Sequence, residues 1–227
     1  MIKKIIKYFF LSVTGFVISS ILIVVLYKFI PPPLTPIMVI RVFEGVFEGR
    51  NIGIDKTWIP YNEISPNVFK AIISGEDAKF LRHNGFDWDA IENARKYNSA
   101  HKGVRKHGAS TISMQTAKNA FLWHGRNYVR KALEAYFTVL IENIWGKKRI
   151  LEIYANIIEW GDGIYGIEAA SQIYFKKPAS ALNKEEAAAL AAVIPNPRRW
   201  SPSEPTDYII SRKNFIEGRM SGIALPK

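Results

Sequence analysis

The chain has no cysteine, is short of acids, and shows neither an internal repeat nor a cluster of metal-ligand residues. The missing cysteine excludes disulfides, thiol nucleophiles and cysteine-ligated zinc, and leaves the redox compartment open. Against 31 Lys and Arg stand only 20 Asp and Glu, a net charge of +11. That excess points to an anionic partner: nucleic acid, acidic lipid or a phosphate-bearing substrate. The alternating strands and helices of a nucleotide-binding sheet are also missing. Asp87-Trp88-Asp89, which spells the Asp-x-Asp of nucleotide-sugar transferases, therefore reads as a helix start after Gly85. With 227 residues, 48% of them hydrophobic, the chain can build one ordinary domain, or one domain plus an anchor.

What is present begins with one long apolar run. Tyr8 to Tyr27 is twenty residues without a charge. At about 1.5 Å per residue it spans roughly 30 Å, the thickness of a bilayer's hydrocarbon core. A cleaved signal peptide would have an apolar core of only about 7–15 residues and a small-residue cleavage site. This run instead leads into Lys28-Phe29-Ile30-Pro31-Pro32-Pro33. Lys3, Lys4 and Lys7 precede the span and only Lys28 follows closely, so the positive-inside rule leaves the N-terminus cytoplasmic and everything after Pro31 outside. Setting these four lysines aside lowers the net charge from +11 to +7, still basic. An exported domain makes nucleic acid an improbable partner.

The remainder is mainly helical by pattern. Pro31 to Pro36 is a stiff spacer. Ile37 to Ile59, with β-branched residues, glycines and Asp55, is expected to form short strands or extended chain. Ser65 and Pro66 look like the N-cap and first residue of a helix. Along it Val68, Ile72 and Glu76 share one stripe, and Phe69, Ile73 and Asp77 the next. Both carboxylates thus continue a buried face at a helix C-terminus, where the macrodipole disfavours negative charge. Burial and helix end would each raise a carboxyl pKa, which suits acid–base work; an ion pair with a nearby Arg or Lys would satisfy the same spacing. Basic Arg95 to His107 reads as a mobile loop or a surface for anionic headgroups. Ser110 is expected to cap a helix whose first-turn amides face a phosphate. Lys118 and Arg126, flanking an aromatic stretch, read in isolation as surface cations. Asn127 to Trp145 is a second helix with Val129, Leu133, Phe137, Leu140, Ile141 and Ile144 as its buried stripe; Arg130 and Glu134 form an i,i+4 pair, by default a few tenths of a kcal/mol. Gly161 to Gly166 is a turn, followed by a helix to Phe175. Asn183 and Glu186 make a capping box for Lys184 to Val193, and Tyr208 to Met220 is a terminal amphipathic helix.

Taken together, the segments resemble the peptidoglycan glycosyltransferase (transglycosylase) family in its monofunctional, membrane-anchored form. Glu76-Asp77-x-x-Phe80-x-x-His83-x-Gly85 matches the first family motif. Gly108-x-Ser110-Thr111-Ile112 with Gln115 and Lys118-Asn119 matches the second, Arg130-Lys131-x-x-Glu134 the third, and Lys147-x-x-Ile150-Leu151-Glu152-x-Tyr154-x-Asn156 the fourth. Gly161-Asp162-Gly163-x-Tyr165-Gly166 with Glu168-Ala169-Ala170 matches the fifth. Met114 stands where a second glutamine is usual, which questions one polar contact of the cleft, and Ala155 replaces a Leu. The residues after the fifth motif leave no room for a transpeptidase domain.

The resemblance implies a lysozyme-like helical fold behind one transmembrane helix: residues 1–30 a cytoplasmic stub and anchor, 31–58 a linker, 59–227 the glycosyltransferase domain. It implies polymerisation of lipid II, with Glu76 as general base and Glu134 as the second carboxylate, organising the cleft. Lys118 and Arg126 then stabilise the leaving diphosphate. Asp77, Phe80, His83, Ser110, Thr111, Gln115, Asn119 and Arg130 are expected to contact substrate. No cofactor is required, although a divalent cation (Mg or Mn) at the diphosphate is compatible with the residues. The expected partners are lipid II, the lipid-linked nascent glycan, the membrane and other cell-wall synthases. The expected location is the bacterial inner membrane, with the domain periplasmic. A lysozyme-like glycan-cleaving enzyme and a non-catalytic membrane-tethered scaffold are the alternatives.

Overall fold

The computed structural model describes residues 1–50, 52–101, 107–125 and 127–226. It is mainly α. Helix α1 (Ile2–Phe29) is long and apolar enough to cross a membrane and is exposed along most of its length. It touches the domain on one side. The Ser20 and Tyr136 hydroxyls share a hydrogen bond of 2.7 Å, and the Trp145 indole donates to the Val24 carbonyl at 2.7 Å. Arg149 donates to the Tyr27 carbonyl at 2.8 Å and the Ile30 carbonyl at 3.2 Å, placing a cation where the helix dipole is negative.

Helix α2 (Pro36–Phe47) lies where strands or extended chain were expected. Its capping decides the matter: Thr35 accepts from the Met38 amide at 3.4 Å, and Pro36 takes the first helical position. Ile37, Met38, Arg41 and Gly45 face inward at helical spacing, which outweighs the β-branched composition. Arg41, 2% exposed, is held by Glu44 at 2.9 Å, Glu159 at 3.5 Å and Asp162 at 2.5 Å. The aspartate of the fifth motif is therefore a tether for α2.

The domain proper is built from α3 (Pro66–Glu76), α4 (Trp88–Ala100), α5 (Ile112–Phe121), α6 (Tyr128–Ile144), α7 (Gly146–Ile157), α8 (Ile167–Phe175), α9 (Lys184–Val193) and α10 (Asp207–Arg219). Strands β1 (Asp55–Lys56), β2 (Glu159–Gly161) and β3 (Ile164–Tyr165) form a small sheet in the order β1-β3-β2; β1 runs parallel to β3, and β2 and β3 are antiparallel across the glycine turn. Gly163 has φ +77° there, a conformation only glycine adopts freely. One half of the core packs α9 against α3 and α10, and the other packs α5 against α6 and α7. Asn156, fully buried, joins them to the incoming chain: its side chain receives the Ile59 amide at 3.0 Å and donates to the Ile59 carbonyl at 2.9 Å.

The caps expected at Ser65 and Asn183 are present, and Asp87 and Asn127 add two that were not anticipated. Ser65 caps α3, Asp87 caps α4, Asn127 caps α6, and Asn183 with Glu186 closes the capping box of α9. Three expectations change. Residues Arg95 to Ala100 are the end of α4, not loop; 102–106 lie outside the described residues. Val129 is 69% exposed, so the buried stripe of α6 begins a turn later and rests on Phe137 and Ile141. Thr111, not Ser110, caps α5.

Candidate active site

Glu76 is the last residue of α3, and its carboxylate lies between two other helices. From α5, Gln115 donates to Oε2 at 3.0 Å; from α10, Arg212 donates to Oε1 at 2.8 Å. Tyr154, fully buried on α7, donates its hydroxyl to Gln115 Oε1 at 2.9 Å and fixes which way that amide turns. The Glu76 side chain is only 11% exposed. Burial raises its pKa, against the opposing pull of the Gln115 hydrogen bond and the Arg212 charge. A carboxylate with a raised pKa and a fixed orientation is equipped to accept a proton.

Glycine 75 permits this arrangement. A Cβ there would lie 3.0 Å from Ile216 Cδ1, a contact that would make the side chains of α10 give by a few tenths of an ångström. The packing of α10 on α3 brings Arg212 to the Gly75 carbonyl, at 3.2 Å, as well as to Glu76. Arg212 was not anticipated from the sequence. Its signal is a cation on the stripe of Ile209 and Ile216, both buried: spacings of three and four residues place it on their side of α10.

Next to Glu76, two cavities of 380 and 590 Å³ meet at Gln115, Lys118 and His124, which line both. The smaller adds Asn119, Glu44, Glu159 and Arg198; the larger adds Ser110, Arg130, Lys131 and Glu134. Glu76 lies behind Gln115 and does not itself line either. Lys118 belongs to the cleft and is not the surface cation its spacing suggested. Burial lowers its pKa, with Arg130 and Lys131 adding to the effect and Glu134 opposing it. Among the described residues it has no hydrogen-bond partner or ion pair, which leaves its ammonium for an incoming anion. His124 is likewise held below its usual pKa, by burial and by Arg198, whose guanidinium is 3.0 Å away.

Glu134 sits on the wall of the larger cavity, 2% exposed, with Arg130 and Lys131 each 2.5 Å from its carboxylate. A buried pair of this kind is far more than the few tenths of a kcal/mol of an exposed helix pair, because loss of either partner strands a charge.

Several residues expected to contact substrate are fastenings behind the cleft. Asp77 accepts from His83 Nε2 at 3.0 Å and from the Ile112 amide at 3.1 Å. His83 Nδ1 receives the Gly85 amide at 3.2 Å, so Nε2 carries the proton that faces Asp77. Thr111 donates to the Gly85 carbonyl at 2.6 Å and accepts from the Met114 amide at 3.2 Å. Phe80 is fully buried beneath the Lys147 ammonium, 4.5 Å from its ring centre. None of Asp77, Phe80, His83 and Thr111 lines the cleft cavities, because their polar atoms and surfaces are already taken. Of the first-turn amides of α5, that of Ile112 donates to Asp77 and that of Met114 to the Thr111 hydroxyl. Met114, which stands where a second glutamine is usual, is 4% exposed and lines neither cavity. Arg126 lies outside the described residues.

A buried, oriented carboxylate beside a cationic cleft, on a helical domain, is the equipment of a class: enzymes that transfer groups by acid–base chemistry. The transglycosylase family model matches residues 47–221. The chain is 53% identical to the biosynthetic peptidoglycan transglycosylase of Bdellovibrio bacteriovorus over 97% of this chain and 87% of that protein. It is 49% identical to the protein of that name from Rhodospirillum centenum, over 97% and 93%, and 50% identical to that of Caulobacter vibrioides, over 91% and 86%. The chain belongs to the transglycosylase family.

Proposed function

We propose that the protein is a peptidoglycan polymerase that extends glycan strands from lipid II at the outer face of the bacterial inner membrane. The observation that carries this reading is an oriented, pKa-raised Glu76 set directly behind a cleft lined by Lys118, which has no hydrogen-bond or ion-pair partner among the described residues. Glu76 takes the proton from the 4-hydroxyl of the acceptor N-acetylglucosamine. That oxygen attacks C1 of the N-acetylmuramic acid at the reducing end of the lipid-linked donor. The bond from C1 to the diphosphate breaks, its electron pair leaves with the diphosphate, and a β-1,4 bond forms with inversion. Lys118, together with Arg126, meets the charge developing on the leaving group. Glu134, Arg130 and Lys131 hold the donor side of the cleft in shape. Among the described residues no three His, Asp or Glu side chains gather in a metal-binding group; a Mg or Mn ion at the diphosphate would take its ligands largely from the substrate. Asp87 and Asp89 are engaged with Lys79, at 3.5 and 2.9 Å.

The relatives' name supports peptidoglycan as the product, and α1 supports a membrane-held substrate. The lysine asymmetry around α1 supports a periplasmic domain, where other cell-wall synthases would be partners. The test is incubation of the purified full-length protein with lipid II and separation of products by glycan length. Strands that lengthen with time are expected; shortening of preformed glycan would establish a cleaving enzyme instead.

A further inference from the structure

His124 lies just past the end of α5 and lines both cavities, at the place where they meet. Its Nε2 is 3.0 Å from the guanidinium of Arg198, in the turn after α9. A guanidinium only donates, so Nε2 accepts and carries no proton. The proton of the neutral ring is therefore on Nδ1. A charged ring would set two donors against each other across that 3.0 Å contact. Burial, Arg198 and Lys118 all disfavour the charged ring, against the weaker pull of Glu44 and Glu159, so the imidazole is neutral near neutral pH. Among the described residues nothing accepts from the Nδ1 proton.

Arg198 is itself held in place. Its Nε donates to Glu159 at 3.1 Å, and its Nη1 lies 3.9 Å from Glu44. The buried Arg41 grips the same two carboxylates from behind, at 3.5 and 2.9 Å. Two arginines and two glutamates thus alternate in a closed ring drawn from α2, β2 and the turn after α9. Their charges cancel within the ring. A guanidinium gripped on two sides cannot turn away from His124, and the hydrogen bond at one ring nitrogen decides which tautomer the other presents.

The free N–H shares both cavities with Lys118, whose ammonium also has no partner among the described residues. The two donors are complementary. An ammonium on a long stem supplies charge but little direction. A neutral imidazole supplies direction and adds no repulsion to the cations already there. Such a pair suits a charged group with several oxygens better than a lone hydroxyl.

We propose that His124 is a further substrate-binding residue, its Nδ1–H donating to a phosphoryl oxygen of the diphosphate beside Lys118, with Arg198 positioning the ring. This rests on the reaction proposed above. No proton is transferred from His124. The hydrogen bond strengthens as the bond from C1 to the diphosphate breaks and the phosphoryl oxygens gain charge.

The test uses the full-length protein in detergent micelles, labelled with ¹⁵N-histidine, and His124→Asn identifies the His124 signals. The expected spectrum has Nδ1 protonated and Nε2 bare. Farnesyl diphosphate is expected to shift Nδ1, and farnesol, which has the tail without the phosphates, to leave it unmoved. A protonated Nε2, a silent Nδ1, or an equal response to farnesol would overturn the proposal. Arg198→Met is expected to let both tautomers appear and to bring the His124 pKa up towards its usual value; an unchanged spectrum would remove Arg198 from the account. In glycan synthesis His124→Phe is expected to lower kcat about 10–100-fold with little change in KM. His124→Asn, whose amide N–H can take the place of Nδ1–H, is expected to recover most of that loss. Wild-type kcat in His124→Phe, or an equal fall in both variants, would contradict a directed donor at this position. A diphosphate response without polymer from lipid II would refute the polymerase reading and leave this site standing; polymer with a silent Nδ1 would refute the site alone.

Discussion

In the proposed reaction Glu76 is the residue on which the chemistry turns, and its surroundings set a measurable pH dependence. It must be ionised to take a proton. Burial raises its pKa, so the acid limb of kcat/KM is expected above the ordinary carboxylate range. Lys118 must be charged to meet a diphosphate. Burial lowers its pKa, so the alkaline limb is expected below the ordinary lysine range. The bell is narrowed from both sides. Arg212 favours the ionised form of Glu76, and Arg212→Met is therefore expected to move the acid limb to still higher pH. A variant with reduced kcat and an unmoved limb would show Arg212 to be packing only. Glu134 makes a different claim. Glu134→Ala leaves Arg130, 8% exposed, without its partner, and is expected to cost about 3 kcal/mol in urea unfolding. A loss below about 1 kcal/mol, the worth of a surface pair, would contradict the buried-pair account.

Elements explain what the residue pattern left out. The N-cap signals at Ser65 and Asn183 were legible because capping is local chemistry. Helix α2 was misread because its β-branched residues suggested a strand, while the buried Arg41 network that holds it depends on Glu159 and Asp162, over a hundred residues away. The hydrogen bond from the Ile112 amide of α5 to Asp77, and the passage of α10 over α3, are tertiary facts of the same kind. Gly75 is where the second can be tested. Gly75→Ala places a Cβ 3.0 Å from Ile216 and moves α10, and Arg212 with it, away from Glu76. The expected outcome is a small loss of stability with an acid limb displaced in the same direction as in Arg212→Met, by less. Gly85→Ala differs in kind. There φ is +91° and the new Cβ would lie 2.7 Å from Thr138 Cγ2, so a stability loss of about 1–3 kcal/mol is expected, read as a lower urea midpoint.

At the scale of the whole molecule, a membrane-length apolar helix is joined to a helical domain whose cleft lies beside a buried carboxylate. The mainly helical fold, the membrane-length anchor and the ordered motifs could be read from the sequence because each is periodic or local. The site was legible as residue types but not as roles. Asp77 and His83 in the first motif and Thr111 in the second fasten the helices, whereas Arg212 and His124 lie outside the motifs yet meet Glu76 or line the cleft. The central claim is that Glu76 removes the proton from the acceptor hydroxyl. Single-turnover glycan formation from lipid II by the full-length Glu76→Gln variant tests it most directly. The account predicts a rate lower by about 10²–10⁴-fold with lipid II still bound; polymer formed at the unaltered rate would contradict it.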